Sequence, residues 1–532
     1  MYISLGHFAA FDPSGQPVPY ARLADMRFRV SRIPWVSGNN GTGENLVETL
    51  TNTYKRYGLK PYICSTGVFD PCLYDRSLTI HNRPCDAYWY PGAWKPVPRR
   101  GVGGLDRYLG VTTDANSYKT YARLCQALAA KYGSAKVDGT GLFFPEDESA
   151  ETGLDLISGI EPENEPDANW NGWVGYERAE EYAAVVSASS DGHAGTLKDE
   201  DGRAIPGTRY GGILPIAGGT ASVNRGYLQP AILRWKATRT DASIPVAAFS
   251  MHMYFSNIGN QGGSDEAVQY GITFEEAMNN DTGGELPKVC AFRDRVAPDK
   301  EVWLTEFGWG ESGARETASK YQCYSQAGRQ VGNWTVPDRH RSDVKGAWII
   351  RACVQMMAMG VDMVNYYSTE CEGNYFGAGK YDSGAGFEMF HWNDCTDDTP
   401  GARVEAIKAH ECTYPRGGFA TTGLFGQLLG NGAYPITRAY WWIATFRNRL
   451  KGYVYTGMRH VDTDSRIVIA CFKERDGDRG AYVVYLNDSQ NTGVEGVGIP
   501  VPAGVSSYRH VTVHVPEIPN PEDVPNTLGW DK

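Results

Sequence analysis

Long apolar runs, a basic surface and a leader-like start are all missing from this sequence. No stretch of about 18 apolar residues occurs, so no membrane-spanning helix is expected. Lys and Arg number 51 against 62 Asp and Glu, and the net charge of −11 argues against a general nucleic-acid binder, which needs basic side chains to neutralise phosphates. The first residues lack a basic segment followed by an apolar one, so we expect no secretion signal within this sequence.

Several chemical motifs are also missing. No CxxC pair and no cluster of His and Cys has zinc-site spacing, so neither a structural metal nor a cofactor is expected. The Gly-rich segment 217–220 carries no lysine, which argues against a phosphate-cradling loop. No Gly-x-Ser-x-Gly turn stands between a strand and a helix, which argues against a serine nucleophile of that type. The acidic loop 393–398 lacks the alternating ligands of a calcium loop and is predicted to be a solvated turn.

The 11 cysteines are odd in number and fall into two groups. Those at positions 125, 290, 353 and 471 lie in helix or strand patterns and are predicted to be buried thiols. Cys72 with Cys85, and Cys395 with Cys412, lie in loop-like segments. Whether these two pairs form disulfides stays open, because spacing alone does not fix connectivity.

What is present is a long chain with an alternating pattern. Its 532 residues, 42% of them hydrophobic, allow a large core and more than one domain. Strand-like and helix-like stretches alternate through the first two-thirds, which favours a parallel α/β architecture. Strands are predicted at residues 3–11, 26–34, 60–64, 154–161, 209–215, 244–255, 301–306 and 361–367. Helices are predicted at residues 45–57, 117–132, 176–188, 227–236, 343–359 and 436–450.

Eight strands in this pattern predict a (β/α)8 barrel over residues 1–450, with long loops after the third, seventh and eighth strands. Those loops rise on one face, and long loops in compact domains tend to be functional. After residue 452 the pattern changes to short β-branched segments at 466–472, 481–486 and 508–515. We therefore predict a small antiparallel β domain, like a β-sandwich, over residues 451–532.

Two glutamates stand at predicted strand ends. Glu165 follows Asn164 after the fourth strand, and Glu306 closes the seventh. Two carboxylates at the C-terminal ends of different barrel strands are what the cleavage of a glycosidic bond requires. Glu306 directly follows an apolar run, where a carboxylate is costly and therefore needs a role. Glu161 and Glu163 are rivals on the fourth strand, because alternation places them on the same side as Glu165.

These motifs resemble those of clan A glycoside hydrolases, which are (β/α)8 barrels that cleave glycosidic bonds with retention. The resemblance implies that Glu165 is the general acid/base and Glu306 the nucleophile. His252-Met253-Tyr254 is similar to the His-x-Tyr that ends the sixth strand in this clan. By that resemblance the Tyr254 hydroxyl bonds the nucleophile, and His252 lines the subsite at the cleaved bond. Asn164 would bind the sugar hydroxyl next to the anomeric carbon, and a satisfied core histidine is the alternative for His252.

The clan often places an arginine on strand two, beneath the nucleophile, where a cation would lower the pKa of the carboxyl group. Arg29 and Arg32 both lie on the predicted second strand and face opposite ways. Residues 30–34 resemble the usual run more closely, which favours Arg32. Alternation alone does not decide between the two.

Aromatic residues follow several predicted strands. Trp35, Trp170, Trp173 and Trp309 are predicted sugar platforms, and packing in the core is the alternative for each. Many members of the clan end strand eight with a tryptophan that floors the central subsite. Tyr367 stands in that region here, and this departure leaves the substrate family open.

The sequence as a whole predicts a retaining β-glycosidase that acts on a polysaccharide or oligosaccharide. The long loops suggest a cleft and hence endo action, and a deep pocket built from the same loops is the alternative. We expect a carbohydrate substrate, no nucleic acid and no membrane span. Secretion, the periplasm or the cell surface is the expected location. A non-catalytic carbohydrate-binding barrel is one alternative, and a transglycosylase that uses the same residues is another.

Overall fold

The computed structural model describes part of the chain. The described residues are 2–6, 31–34, 61–65, 79–80, 83–84, 99–100, 107–108, 111–140, 142, 151–168, 176–199, 201–254, 273–278, 284–309, 329–331, 334–336, 341–367, 424, 438–462, 464–486, 498–499 and 504–509. The predicted helix at 45–57 lies outside these residues, as do the acidic loop 393–398 and both candidate disulfide pairs.

Eight strands form one parallel sheet. They are β1 (Tyr2–Gly6), β2 (Ser31–Pro34), β3 (Tyr62–Ser65), β4 (Gly159–Pro162), β5 (Leu214–Pro215), β6 (Ala248–Tyr254), β7 (Glu301–Gly308) and β8 (Met363–Tyr367). Their order is β6-β7-β8-β1-β2-β3-β4-β5, and each neighbouring pair is parallel. Each of the eight predicted strand segments overlaps one of these strands.

The two end strands of this order are themselves linked. Just beyond β5, Ile216 forms a parallel bridge with Ala248 of β6, and Thr220 forms another with Met251. The Ala217 N–H donates to the Ala248 carbonyl at 3.0 Å. Backbone hydrogen bonds therefore continue from β5 to β6.

Several strands begin later than predicted, and within the described residues the shift is largest in β4, β5 and β6. Residues 154–158 are not part of β4, because Gly153 (φ 67°) and Asp155 (φ 56°) take left-handed conformations that interrupt extended backbone. Residues 209–213 are not part of β5, because Gly207–Gly211 forms a 3-10 helix that ends at Gly212 (φ 68°).

Helices cover the sheet. They are α1 (Lys119–Tyr132), α2 (Ala179–Gly195), α3 (Arg225–Thr238), α4 (Glu285–Val296), α5 (Arg341–Met359) and α6 (Arg438–Arg449), with a short helix at Phe274–Ala277 and a 3-10 turn at Ala115–Tyr118. Local capping places their first turns. The Asn224 side chain accepts from the Tyr227 N–H at 3.1 Å before α3, and the Glu181 carboxylate accepts from the Arg178 N–H at 2.9 Å before α2. Among the described helices, none combines the length and apolar character needed to cross a membrane.

The core lies between the sheet and its helices. Trp235 of α3 is fully buried, and its indole N–H donates to the Ala183 carbonyl of α2 at 2.8 Å. Strands β6 and β7 are buried along nearly their whole length, as expected for parallel strands covered on both faces. Cys125, Cys290 and Cys353 are free and buried, which confirms that part of the cysteine prediction, and Cys471 is free and half-buried.

Short antiparallel pairs lie in the connections after β3 and β7. They join Thr79–Ile80 with Arg83–Pro84, Arg99–Arg100 with Arg107–Tyr108, and Arg329–Val331 with Trp334–Val336.

The predicted C-terminal antiparallel sheet is confirmed. It consists of β9 (Tyr453–Val461), β10 (Asp464–Glu474) and β11 (Gly480–Leu486) in that order. Strand β9 was not predicted, because Gly457 interrupts its alternation at a register shift. Of the predicted strand at 508–515, Tyr508 and Arg509 are described and are not in a strand, and the rest lies outside the described residues.

Candidate active site

Four side chains converge where β4, β6 and β7 end: Glu165, His252, Tyr254 and Glu306. Strand pairing places His252 directly opposite Glu306, after a register shift that follows Met251. Because Met251 pairs with Leu304, Thr305 is an extra residue on β7. A bulge of this kind re-aims the side chains that follow it.

His252 lies between the two carboxylates. Its Nδ1 is 2.8 Å from Glu165 Oε1 and 3.3 Å from Glu306 Oε2. One oxygen of each carboxylate and one ring nitrogen all lie within 4.8 Å of one another. The His252 side chain is 0% exposed, that of Glu306 is 7% and that of Glu165 is 18%. Glu165 is therefore the carboxylate of the pair that solvent reaches more easily.

His252 Nδ1 is within reach of both carboxylates. An ionised carboxylate only accepts hydrogen bonds, so Nδ1 carries the hydrogen in a bond to either ionised group. The shorter separation, 2.8 Å against 3.3 Å, favours Glu165 as the acceptor. The ring is held in place through its backbone, because the His252 N–H donates to the Thr220 carbonyl at 2.7 Å.

Tyr254 is hydrogen-bonded to Glu306. Its hydroxyl donates to Glu306 Oε2 at 2.5 Å, and its ring meets the edge of Tyr367 with centroids 6.3 Å apart. Burial, and after it the charge of the Glu306 carboxylate, holds the pKa of Tyr254 well above its usual value. Tyr254 therefore remains a hydrogen-bond donor, which favours the ionised form of Glu306.

Glu161 lies deeper in the sheet. It is fully buried, and its Oε1 accepts from Ser250 Oγ at 2.7 Å and from Thr305 Oγ1 at 3.0 Å. These contacts tie β4 to β6 and β7 beneath the carboxylate pair. On the extension of this strand, Glu165 has a carboxylate oxygen 2.8 Å from His252 Nδ1.

Gly219 approaches this cluster with its backbone. A Cβ atom there would lie 2.6 Å from His252 Nε2, 2.7 Å from Glu161 Oε1 and 3.0 Å from Thr305 Oγ1. Only glycine leaves room for these three side chains. Sequence reasoning examined this Gly-rich segment only as a phosphate loop and missed its role, although the paired glycines were a visible signal of close approach.

The backbone of Glu165 is strained. Its φ is 53°, in the left-handed region, and it precedes Pro166, where an extended conformation is usual. A non-glycine residue held there costs on the order of 1–3 kcal/mol, and such strain often marks functional positions. Backbone bonds oppose the cost: the Glu165 N–H donates to the Gly219 carbonyl at 2.7 Å, and the Ala168 N–H donates to the Glu165 carbonyl at 3.0 Å.

Asp167 anchors the same turn. Its Oδ1 accepts from the Ala221 N–H at 2.6 Å. Burial raises the pKa of Asp167 to about 6, against a smaller lowering by the Ala221 N–H, and the charge of Glu165 adds a further small increase. Sequence reasoning did not single out Asp167, because nothing in the sequence indicates that the segment after β5 returns to this turn.

Other predicted site residues lie at different distances from the cluster. Asn164 forms a backbone bridge with Gly219, next to Glu165. Arg32 lies in β2, in register with Gly6 and Tyr62, and its side chain is outside the described part of the chain. Outside the described residues altogether are Arg29, Trp35, Trp170 and Trp173.

Trp309 differs from its predicted position as a sugar platform. It is 2% exposed, and its ring packs edge-on against Phe307 and Trp348, with centroids 6.3 and 5.9 Å apart. Trp348 belongs to α5, so this helix supplies one of the two rings in contact with Trp309. The packing alternative therefore describes Trp309 better, because an enclosed ring has no free face for a sugar.

The described residues whose ligand atoms come close enough for a metal ion are Glu165, His252 and Glu306. Their separations of 2.8 and 3.3 Å are also hydrogen-bond distances. Hydrogen bonding from the imidazole is therefore sufficient to account for the grouping.

Searches of protein-family models and of curated proteins found no match to this sequence. Solved structures that are similar include SrfJ from Salmonella typhimurium, at 8% identity and a TM-score of 0.39, covering 91% of this chain and 87% of that one. A β-glucosidase from Exiguobacterium marinum has 11% identity and a TM-score of 0.34, covering 81% and 86%. The β-glucosidase from Thermotoga maritima has 10% identity and a TM-score of 0.34, covering 81% and 85%. At these TM-scores, the activity of this chain has to be inferred from its own residues.

Proposed function

We propose that this protein is a retaining glycoside hydrolase that cleaves β-glycosidic bonds of a polysaccharide or oligosaccharide. The observation that carries the proposal is the joint position of Glu165 and Glu306 around His252 Nδ1, at 2.8 and 3.3 Å. A pair of carboxylates that can share one substrate is what this chemistry requires.

Glu306 is the nucleophile in this proposal. The Tyr254 hydroxyl at 2.5 Å favours its ionised form, which is the form that attacks the anomeric carbon. Burial of Glu306 removes competing water and leaves the carboxylate oriented by neighbours. Attack forms a glycosyl-enzyme ester while the bond to the leaving oxygen breaks.

Glu165 is the general acid and then the general base. Its greater exposure suits a group that must reach the leaving oxygen and afterwards a water molecule. It donates its proton to the leaving oxygen in the first step. In the second step it takes a proton from water, which attacks the anomeric carbon and releases Glu306.

The separation of the carboxylates supports retention. Retaining enzymes hold the two groups about 5–5.5 Å apart, whereas inverting enzymes need about 6.5–9.5 Å to admit water between acid and base. Oxygens of Glu165 and Glu306 come within 4.8 Å of each other, which favours the first arrangement.

The scaffold in this proposal is a (β/α)8 barrel formed by β1–β8, and the bridges from Ile216 and Thr220 to β6 support closure of the ring. Glu165, His252, Tyr254 and Glu306 then lie at the C-terminal ends of its strands, where barrel enzymes carry their chemistry. Endo action and a location outside the cytoplasm remain part of the proposal, and the loops that bear on the substrate lie outside the described residues.

A screen of the purified protein against a panel of β-linked glycans tests the activity. Glu165→Ala and Glu306→Ala are the test variants, and Glu180→Ala, which removes an exposed carboxylate at the start of α2, is the matched control. We expect both test variants to lose activity and the control to retain it. Wild-type rates in both would end the assignment, as would a wild-type protein that cleaves nothing in the panel. NMR of the first-formed anomer tests retention, and product analysis with added acceptor sugars separates hydrolysis from transglycosylation.

A further inference from the structure

The turn that carries Glu165 has an unusual backbone that needs an external restraint. Glu165 takes a left-handed φ of 53° immediately before Pro166. Neither feature is locally favourable, because residues before proline are normally extended and non-glycine residues avoid positive φ. Something outside residues 164–166 must therefore hold the conformation.

Two contacts reach this turn from the segment after β5. The Gly219 carbonyl accepts from the Glu165 N–H at 2.7 Å, on the N-terminal side of the turn. The Asp167 carboxylate accepts from the Ala221 N–H at 2.6 Å, on its C-terminal side. The turn donates the first of these hydrogen bonds and accepts the second. The two bonds lie on either side of Pro166, so together they resist rotation of the turn.

The same segment also fixes the partner of Glu165. The His252 N–H donates to the Thr220 carbonyl, between the two positions that hold the turn. A shift of residues 219–221 would therefore move Glu165 and His252 together. An unclamped Glu165 turn would move relative to His252 and lose the 2.8 Å contact.

We propose that Asp167 is a positioning residue, which clamps the turn onto the 219–221 segment and so fixes the Glu165 carboxyl for proton transfer. This inference rests on the proposed function, in which Glu165 is the acid/base. Asp167 acts through the backbone of the turn and need not touch the substrate. Its loss should therefore impair the steps that use Glu165 and spare those that do not.

Leaving-group dependence separates this role from a general structural one. The 2,4-dinitrophenolate group of a dinitrophenyl glycoside departs as a stable anion without protonation. An alcohol leaving group, such as methanol or a sugar, requires a proton from the general acid. We compare kcat/KM for both kinds of glycoside of the sugar identified in the panel. For Asp167→Ala we expect a loss of about tenfold to a hundredfold with the poor leaving group and less than about threefold with dinitrophenyl.

Conservative and control variants complete the design. Asp167→Asn keeps an oxygen that accepts from the Ala221 N–H and should restore most of the activity toward the poor leaving group. Asp138→Ala removes an equivalent contact in an exposed loop, in which the Thr140 N–H donates to Asp138 Oδ1 at 2.8 Å, and should change neither rate. If Asp167→Ala does not fold, Asp167→Glu replaces it, because the added methylene displaces the acceptor while keeping the charge, and the same selective loss is expected.

Equal losses with both leaving groups, or no loss with either, would overturn the role of Asp167. Glu165→Ala is measured alongside. If Glu165→Ala itself discriminates between the leaving groups while the folded Asp167 variants do not, the positioning role alone fails. If Glu165→Ala does not discriminate, the acid/base assignment and therefore the proposed function fail.

Discussion

Thr305 and Glu306 are consecutive residues on β7, yet both side chains reach groups on the inner side of the sheet. Thr305 Oγ1 donates to Glu161, and Glu306 accepts from Tyr254. Regular strands alternate their side chains, so two neighbours on one side require the irregularity that the pairing shows after Met251. The bulge therefore lets one strand supply a deep structural hydroxyl and a carboxylate above it.

Removal of the Tyr254 hydroxyl should weaken the nucleophile. Tyr254→Phe deletes a donor to Glu306, and hydrogen bonds to charged groups contribute about 1.5–3 kcal/mol, so we expect kcat/KM to fall about tenfold to a hundredfold. The hydroxyl favours ionised Glu306, so the acidic limb of the pH profile should move to higher pH. Tyr118→Phe, which removes a buried hydroxyl bonded to the Thr112 carbonyl, is the control. An unmoved acidic limb would contradict the role of Tyr254.

Removal of the His252 ring should affect both carboxylates. His252→Ala deletes a ring nitrogen that lies 2.8 Å from Glu165 and 3.3 Å from Glu306. We expect kcat/KM to fall about tenfold to a hundredfold, because both carboxylates lose a hydrogen-bonding partner that orients them. The exposed His460, replaced by alanine, serves as the control. A rate equal to that of the wild type would contradict this role of His252.

A side chain at position 219 should disrupt the site from below. Gly219→Ala places a methyl group 2.6 Å from His252 Nε2 and 2.7 Å from Glu161 Oε1, and overpacking of this kind costs about 1–3 kcal/mol. We expect a lower Tm together with a loss of activity. Gly480→Ala, whose Cβ would meet its nearest atom at 3.6 Å, is the matched control. An unchanged Tm and rate would show that the cluster has room that the structure does not indicate.

Asp167 should leave a signature in the pH dependence of stability. Burial raises its folded-state pKa from 3.8 to about 6, so the folded state binds the proton more tightly than the unfolded state. The stabilisation of the folded state by protonated Asp167 is then fully present below about pH 4 and is lost as pH rises through about 6. The difference in unfolding free energy between wild type and Asp167→Asn should therefore fall from pH 4 to pH 7 in denaturant titrations.

Asp241 provides a control of opposite sign. Its pKa is lowered to about 2, with hydrogen bonds from Ser243 and the charge of Arg239 outweighing desolvation. The stabilisation of the folded state by ionised Asp241 is present above about pH 4 and is lost as pH falls through about 2. Asp241→Asn should therefore show no decline between pH 4 and pH 7, and a parallel decline in both variants would contradict the assignment to Asp167.

The sequence predicted those features whose signals are local. The apolar run that ends on Glu306 indicates a buried strand and a carboxylate whose burial is energetically unfavourable. The segment Asn164-Glu165-Pro166 indicates the turn that follows β4. The existence of the strands β1–β8 followed from periodicity, but the start of β5 did not, because a 3-10 turn that ends at Gly212, in the left-handed region, occupies the first part of the predicted segment.

Contacts between distant segments were not predictable in the same way. Gly219 meets His252 and Glu161 because three strand ends converge, and no periodicity within one strand reports that approach. Trp309 shows the converse, because its place after β7 suggested an open face while α5 supplies Trp348 to cover it. The catalytic roles of Glu165 and Glu306 remain predictions that the proposed variants test.

The C-terminal sheet packs against α5, the helix that precedes β8. Phe472 of β10 meets Phe446 of α6 edge-on, in the same apolar cluster as Val354 of α5, and Gln355 donates to the Tyr485 hydroxyl at 2.8 Å. A chain shortened to residue 450 would expose Val354 and Phe446 to water and leave Gln355 without this partner. The C-terminal sheet β9–β11 thus covers apolar side chains of α5 and α6, and a chain without it should be less soluble than the full chain.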